Sequence, residues 1–424
     1  MDSKKAIEYI TSRDWHESRL GLERMEELLD RLGNPHKELR YVHVAGTNGK
    51  GSICAMLASV LTSAGYKTGM YTSPYINCFN ERIQVDGQPI DDQALVALTE
   101  RVQVEADRML DHPTEFELVT AIAFAYFHLA GCDIVVLEVG LGGRLDATNV
   151  IPVPEVAVIT PISLDHVAEL GDTAEKIAAE KGGIIKPGGS VVSSPQVQGA
   201  ADVLRAICME RNASIKFLDA ESVKITQNAV EGIRFGYKGH EDLELHLLGS
   251  YQAQNAAVVI MTVEQLQSKG WNIGEAAMRN GLAETRWPAR FEIVHKHPWV
   301  IVDGGHNPQC MDSLVESLNT YFPDQKITFI AGVMADKDYN TMFRKIPYAK
   351  RIFTVTPDSP RALSAGALAA YFYAQGIQAQ DVKACENVEQ AVKEALKIET
   401  EKGVICAAGS FYMAGAIRKL FVSV

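Results

Sequence analysis

Residues 41–52, YVHVAGTNGKGS, set a short β-rich run (41–44) directly before a glycine-rich turn and a helix expected over 52–64. Strand, glycine turn and helix in that order build a phosphate loop. Glycines let backbone N–H groups close around phosphate oxygens, Lys50 adds a point charge, and the helix N-terminus adds its dipole. Thr47, Asn48, Gly49, Lys50, Gly51 and Ser52 are the candidate phosphate contacts, Ser52 through its hydroxyl. The match to GxxxxGK[ST] is not strict, because Val44 stands where the first glycine would fall and Gly51 follows the lysine.

On either side of this loop, short β-rich runs alternate with longer helical segments, the pattern of a mainly parallel sheet covered by helices. Strands are expected at 41–44, 68–71, 134–139, 156–159 and 190–193, with helices at 52–64, 91–110, 115–130 and 173–182. Residues 215–247 alternate apolar and polar side chains around small turns and read as a β-rich insertion before a helix over 251–269. After the Pro-containing stretch 295–298 a second series follows, with strands at 300–302, 327–333, 351–355 and 404–407 and helices near 311–322, 364–373 and 388–397. The expectation is an α/β chain. A P-loop ATPase domain over 1–296 has a mainly parallel sheet and the β-rich insertion, and a smaller Rossmann-like α/β domain follows over 297–424.

Composition sets limits on function. With 424 residues, 47% hydrophobic and 22% charged, the chain has the usage of folded globular proteins and enough length for two cores. A formal net charge of -12 disfavours a general nucleic-acid or anionic-membrane binder, so any anionic substrate must meet local basic groups. The seven cysteines are scattered and never spaced as CxxC, which fits a reducing cytoplasm rather than a disulfide framework or a zinc site. The N-terminal MDSKKAIEYITSRDW has no apolar signal core, and the most apolar stretch, 119–130, is shorter than the ~20 residues of a membrane span. Cytoplasmic localisation is expected.

Polar residues at or just after strand ends are where an open α/β sheet gathers its ligands. Ser73, in Thr-Ser-Pro, offers a hydroxyl to magnesium, while Ser-Pro is also an ordinary turn signal. Glu138 is a carboxylate within an apolar strand, which calls for a cation: a metal ion or a salt-bridge partner. His166 and Lys181, each unremarkable alone, follow in 163–166 and 180–181, and Arg290 is either a bidentate phosphate clamp or an ordinary exposed arginine. At 302–308 a strand ends in Asp303, glycines follow, and Asn307 and Pro308 open a helix, a second N-terminus aimed at an anion. Gly409 and Ser410 repeat that arrangement. The run Gly140-Leu141-Gly142-Gly143 lacks GxGxxG spacing and is not a dinucleotide fingerprint. Two glycine-rich anion sites in two α/β domains suggest a nucleotide meeting a second anionic substrate.

Together these segments resemble the folylpolyglutamate synthase and dihydrofolate synthase family of the Mur-ligase superfamily. The matching pieces are HVAGTNGKGS (43–52), YTSPYINCFNERI (71–83), TEFELVTAIAFAYF (114–127), LEVGLGGRLDATN (137–149), SLDHVAELGDT (163–173), EKGGIIKPG (180–188), WPARFE (287–292) and DGGHNP (303–308). The resemblance implies that Gly49, Lys50, Gly51 and Ser52 hold ATP phosphates and that Ser73, Glu138 and His166 ligate magnesium, two ions in all. It implies a carbamylated Lys181, ATP contacts from Asn255, Arg290 and Asp303, and contacts to the incoming glutamate from His306 and Ser410. Thr114 and Glu115 are implied on the substrate side, and Lys50, Lys181 and His306 in catalysis. The chain departs from the family in reading DGGHNP for DGAHNP and PAR for PGR. Gly305 is expected to be tolerated, and Ala289 to alter the local turn without removing Arg290.

The implied chemistry is ATP-driven amide formation. A folate γ-carboxylate takes the ATP γ-phosphate, and the glutamate amine displaces phosphate from the acyl phosphate. Dihydrofolate synthase, with dihydropteroate as acceptor, shares this mechanism, and Phe79-Asn80-Glu81-Arg82 resembles the folylpolyglutamate synthase form. A UDP-sugar Mur ligase would carry an extra N-terminal domain, for which the roughly 40 residues before the first strand are too few. A GTP-dependent switch would carry NKxD, and Asp336-Lys337-Asp338 only superficially resembles it. The partners implied are ATP, L-glutamate and a folate or dihydropteroate acceptor, handled by a monomer.

Overall fold

A computed structural model describes residues 1–12, 21–344, 346 and 349–422; residues 13–15 of the N-terminal stretch quoted above lie outside them. Internal contacts divide the chain into two compact units. One comprises Met1–Lys224, Gly236–Leu243 and Gln254–Thr285; the other comprises Ile225–Phe235, Glu244–Ala253 and Arg286–Val424.

The first unit is built on an eight-stranded sheet. Its strands run in the order Gln88–Pro89, Ile83–Val85, Thr68–Tyr71, Ile134–Glu138, Tyr41–Ala45, Val156–Ile159, Ser190–Ser193, Ser214–Phe217. The six strands from Thr68–Tyr71 onward are parallel neighbours, and the first two form an antiparallel edge. Tyr41–Ala45 is therefore central and buried along its whole length, as a strand covered on both faces must be. Ser214–Phe217, expected as the start of the insertion, is instead the sheet's last strand; its exposed Ser214 and Lys216 gave it the polar alternation of an edge.

Helix Lys50–Ser63 begins two residues before its expected start, because Gly49, left-handed at φ 88°, already turns the chain into it. This helix is buried almost all round, the mark of an internal rather than a surface helix. One of its neighbours is a helix the sequence reading lacked, Glu275–Glu284: Ser59 Oγ donates to the Gly281 carbonyl at 2.7 Å, and a Cβ on Gly281 would lie 2.4 Å from Val60 Cα. Glu115–Ala130 matches its expected span and opens with a capping box between Thr114 and Glu117.

In the second unit six strands run in the order Glu292–Lys296, Trp299–Val302, Val404–Ala408, Ile327–Ala331, Ala349–Thr354, Val382–Ala384. All pairs are parallel except the first. Phe291, Ile301, Phe329, Ile352, Phe372 and Cys406 anchor the core of this unit. Because Glu292–Lys296 pairs with Trp299–Val302 in this sheet, the unit's long C-terminal segment starts at Arg286 rather than after Lys296. The three-stranded sheet Lys224–Ala229, Gly232–Tyr237, His240–Leu245 is the expected β-rich insertion, with residues in both units.

Candidate active site

In the first unit the phosphate loop leaves the central strand at Gly46. There φ is +151° and a Cβ would lie 1.8 Å from Thr160 Oγ1, so a side chain has no room. Thr47 is pinned from the neighbouring strand's exit, its N–H donating to the Pro161 carbonyl at 2.9 Å and its hydroxyl bonding Ser163 backbone groups at 3.1 Å. Gly49 lets the loop pass Asn255, whose Oδ1 would be 3.1 Å from an added Cβ. No side chain caps the N-terminus of Lys50–Ser63, and the first N–H groups of a helix are the ones that anions bind.

Two lysines converge on this loop. Lys50 Nζ donates to the carbonyls of Gly46 (3.1 Å) and Thr47 (3.2 Å), and Lys181 Nζ donates to the same Gly46 carbonyl at 2.8 Å. Lys181, at the end of helix Ala174–Lys181, is 4% exposed. Burial first, and then the charge of Lys50, pull its amine down to about 7, against smaller opposing pulls from Asp165 and Asp146. Two amines thus share one carbonyl oxygen.

Glu138 ends its strand in register with Val44, is 4% exposed, and accepts the Ser73 N–H at 3.1 Å. Ser73 and Glu138 are thus brought together. His166 is placed differently: it precedes the short helix Val167–Leu170 at φ 48°, its ring 42% exposed and 4.0 Å from the carboxylates of Asp165 and Glu169. Among the described residues no group of three or more His, Cys, Asp or Glu is assembled to hold a metal. Magnesium does not need one, since it is usually bound by one or two carboxylates plus substrate phosphates. The hard oxygens of Glu138 and Ser73 fit that requirement.

Thr114 and Glu115 have structural work. The Thr114 hydroxyl accepts the Glu117 N–H at 3.3 Å, and the Glu117 carboxylate accepts the Thr114 N–H at 2.7 Å. Glu115 pairs at 3.5 Å with Arg82, both side chains 6% exposed, and the Arg82 guanidinium lies 5.4 Å from the rings of Tyr75 and Phe79. Burial raises the Glu115 carboxyl and Arg82 opposes it. The sequence reading quoted Arg82 but gave it no role; its aromatic neighbours at 75 and 79 were the available signal.

In the second unit Asp303 follows strand Trp299–Val302, buried. Its Oδ2 accepts the Phe291 N–H at 2.8 Å and its Oδ1 accepts the Gly305 N–H at 2.7 Å. Burial raises its carboxyl, against Arg290 and those two bonds. Arg290 stacks 4.2 Å from the Phe411 ring and sits in a tight turn in which Ala289 (φ 54°) and Phe291 (φ 42°) are both left-handed. Asn307 caps helix Pro308–Tyr321 by accepting the Cys310 N–H at 2.9 Å. His306 Nδ1 lies 3.1 Å from the Gly304 carbonyl, which makes Nδ1 the donor and Nε2 the basic nitrogen. Ser410 precedes helix Phe411–Lys419, and its buried hydroxyl has no hydrogen-bond partner among the described residues.

Residues 44–263 match the Mur ligase middle domain, and 289–411 match the Mur ligase glutamate ligase domain. The chain is 38% identical to the dihydrofolate synthase/folylpolyglutamate synthase of Bacillus subtilis (strain 168), over 97% of this chain and 98% of that protein. This chain belongs to the folylpolyglutamate synthase/dihydrofolate synthase family of Mur ligases. The ligase is also similar to the folylpolyglutamate synthase of Lacticaseibacillus casei, 37% identical over 93% of each chain. In structure it is similar to the Mycobacterium tuberculosis folylpolyglutamate synthase complexed with ADP and AMPPCP, with a TM-score of 0.90, 31% identity and full coverage of both chains. ATP use is common ground in this family, and no helix among the described residues is long and apolar enough to cross a membrane.

Proposed function

We propose that this ligase joins L-glutamate to the γ-carboxylate of a reduced folate, and to dihydropteroate as a second acceptor, through an acyl phosphate. The observation that carries the reading is the Gly46 carbonyl shared by Lys50 and Lys181. A triphosphate is the ligand that offsets the charge of Lys50, which stays beside the phosphate as charge shifts to the leaving oxygen. The backbone of Thr47 to Ser52 cradles the phosphates, and Asn255, Arg290 and Asp303 contact the rest of the nucleotide.

The acceptor carboxylate attacks the γ-phosphorus, the bond to the β-phosphate oxygen breaks, and ADP leaves. The glutamate amine then attacks the acyl carbon. His306, through Nε2, takes the ammonium proton, Ser410 orients the incoming amino acid, and inorganic phosphate leaves. Glu138 and Ser73 would hold magnesium, which when bound supplies charge neutralisation for the phosphates. A Lys181 amine half deprotonated near neutral pH is the form that takes up CO2, and its carbamate would add an anion beside the metal. All these groups come from one chain, so a monomer suffices. None of the seven cysteines is in a disulfide, which suits a cytoplasmic enzyme.

Incubation with ATP, magnesium, glutamate and either tetrahydrofolate or dihydropteroate is expected to give a product heavier by one glutamyl residue with each acceptor. Lys50→Ala should abolish acyl-phosphate formation while leaving the thermal melt near wild type. Near-normal turnover by that variant would mean that the ATP phosphates lie elsewhere.

A further inference from the structure

The glycine-rich turn after Glu138, GLGGRLDATN at 140–149, is not a nucleotide fingerprint and has no part in the chemistry above, yet it is tied to three elements of the first unit. At its centre the Asp146 carboxylate, 6% exposed, takes the Thr148 N–H (3.0 Å) and hydroxyl (2.5 Å) on Oδ1 and the Leu141 N–H (2.9 Å) on Oδ2. His43, fully buried on the central strand, places Nε2 2.9 Å from the same Thr148 hydroxyl oxygen. A hydroxyl has one hydrogen, and the carboxylate claims it. The hydrogen between His43 and Thr148 must therefore be on Nε2, giving a directed relay from imidazole to hydroxyl to carboxylate.

The other side of the turn grips the helix that carries Lys181. Arg144 N–H donates to the Glu180 carbonyl at 2.8 Å, and Asn149 Nδ2 lies 3.3 Å from the Gly183 carbonyl. A Cβ on Gly143 would stand 2.9 Å from the Glu180 carbonyl oxygen, so the two backbones touch. Leu141, held by Asp146, is three residues beyond Glu138.

We propose that the 140–149 turn is a positioning device for the phosphate-transfer site, pinned by the His43–Thr148–Asp146 relay. It holds the Glu138 strand end and the Lys181 helix in register with the phosphate loop. His43 and Thr148 act as positioning residues, through the turn they pin. The inference rests on the ligase reading, and its test includes one arm that does not.

Nitrogen-15 NMR of the histidines in the wild-type protein without nucleotide should show His43 as a neutral Nε2–H ring. A neutral Nδ1–H ring would overturn the relay whatever the enzyme does. In the second arm, Mn2+ binding in the presence of AMPPCP is followed by EPR for wild type, Thr148→Val and Thr148→Ser. Loss of the hydroxyl should weaken Mn2+ by about tenfold, the scale for groups that orient metal ligands, and lower kcat without moving the KM for glutamate. Thr148→Ser should stay near wild type. Wild-type Mn2+ affinity in Thr148→Val, or equal loss in Thr148→Ser, would assign Thr148 to packing alone and sink the proposal. Wild-type protein that binds no Mn2+·AMPPCP would sink the ligase reading, with the relay still judged by the NMR.

Discussion

At Gly305 the chain departs from the commoner family motif, and the structure gives a reason. A Cβ there would lie 2.7 Å from Asp303 Oδ1 and 2.9 Å from Cys310 Cβ. Both distances are too short for carbon, and both neighbours are fixed, Asp303 by two backbone N–H groups and Cys310 by its place in the first turn of its helix. Gly305→Ala should therefore cost about 1–3 kcal/mol, the range for overpacking, and raise the KM for ATP by disturbing Asp303. Adding Cys310→Gly should return part of the loss, since it removes one of the two collisions. A double-mutant cycle on urea midpoints and KM checks this, and strictly additive effects would show that the two positions do not couple. Ala289 is the opposite departure: alanine in a left-handed turn, strained where glycine would not be.

Among the elements, helix Glu115–Ala130 was the most legible, because Thr114 and Glu117 spell a capping box and the apolar run behind it is continuous. Thr114 was expected to contact substrate, and its hydroxyl is committed to that cap. Thr114→Val should lower stability by about 1 kcal/mol and leave the KM for folate unchanged. A raised KM with unchanged stability would restore the substrate role. The phosphate-loop helix was legible in kind but not in start, since only the backbone reveals that Gly49 is already left-handed. Ser214–Phe217 could not be assigned from its own residues; its parallel pairing to Ser190–Ser193 is a tertiary fact. Helix Glu275–Glu284 went unread because its one strong signal, Gly281 against Val60, depends on a partner more than 200 positions away. At the site, Lys50, Ser73 and Glu138 were readable from motifs at strand ends. The relay was not, because His43, Asp146 and Thr148 acquire meaning only when the central strand lies beside its neighbour.

For the molecule as a whole, buried rings couple stability to acid. His36 is 3% exposed, and burial first, then Lys37, hold its ring at about 4 against an ordinary 6.5. His43 is held at about 3 by burial and then Lys186. Both folded values are depressed, so as pH falls the unfolded chain takes up these protons first. Stability from His36 is present above about 6.5 and lost on the way down to about 4. The wild type should therefore lose about 2 kcal/mol relative to His36→Phe between pH 7 and 4.5, with the difference flat above pH 7. Urea titrations at a series of pH values measure it, and parallel curves would show that the native ring titrates like that of the unfolded chain.

The carbonyl of Gly46 has a further bearing on how the enzyme runs. The Lys50 ammonium and the helix N-terminus beside this oxygen attract any phosphate dianion, and the product of amide formation is such a dianion. What draws the triphosphate in also slows the exit of inorganic phosphate. Turnover is then expected to be paced by product departure, with accumulated phosphate competing with ATP and the back reaction, phosphorolysis of the new amide, starting from a seat already charged to receive it.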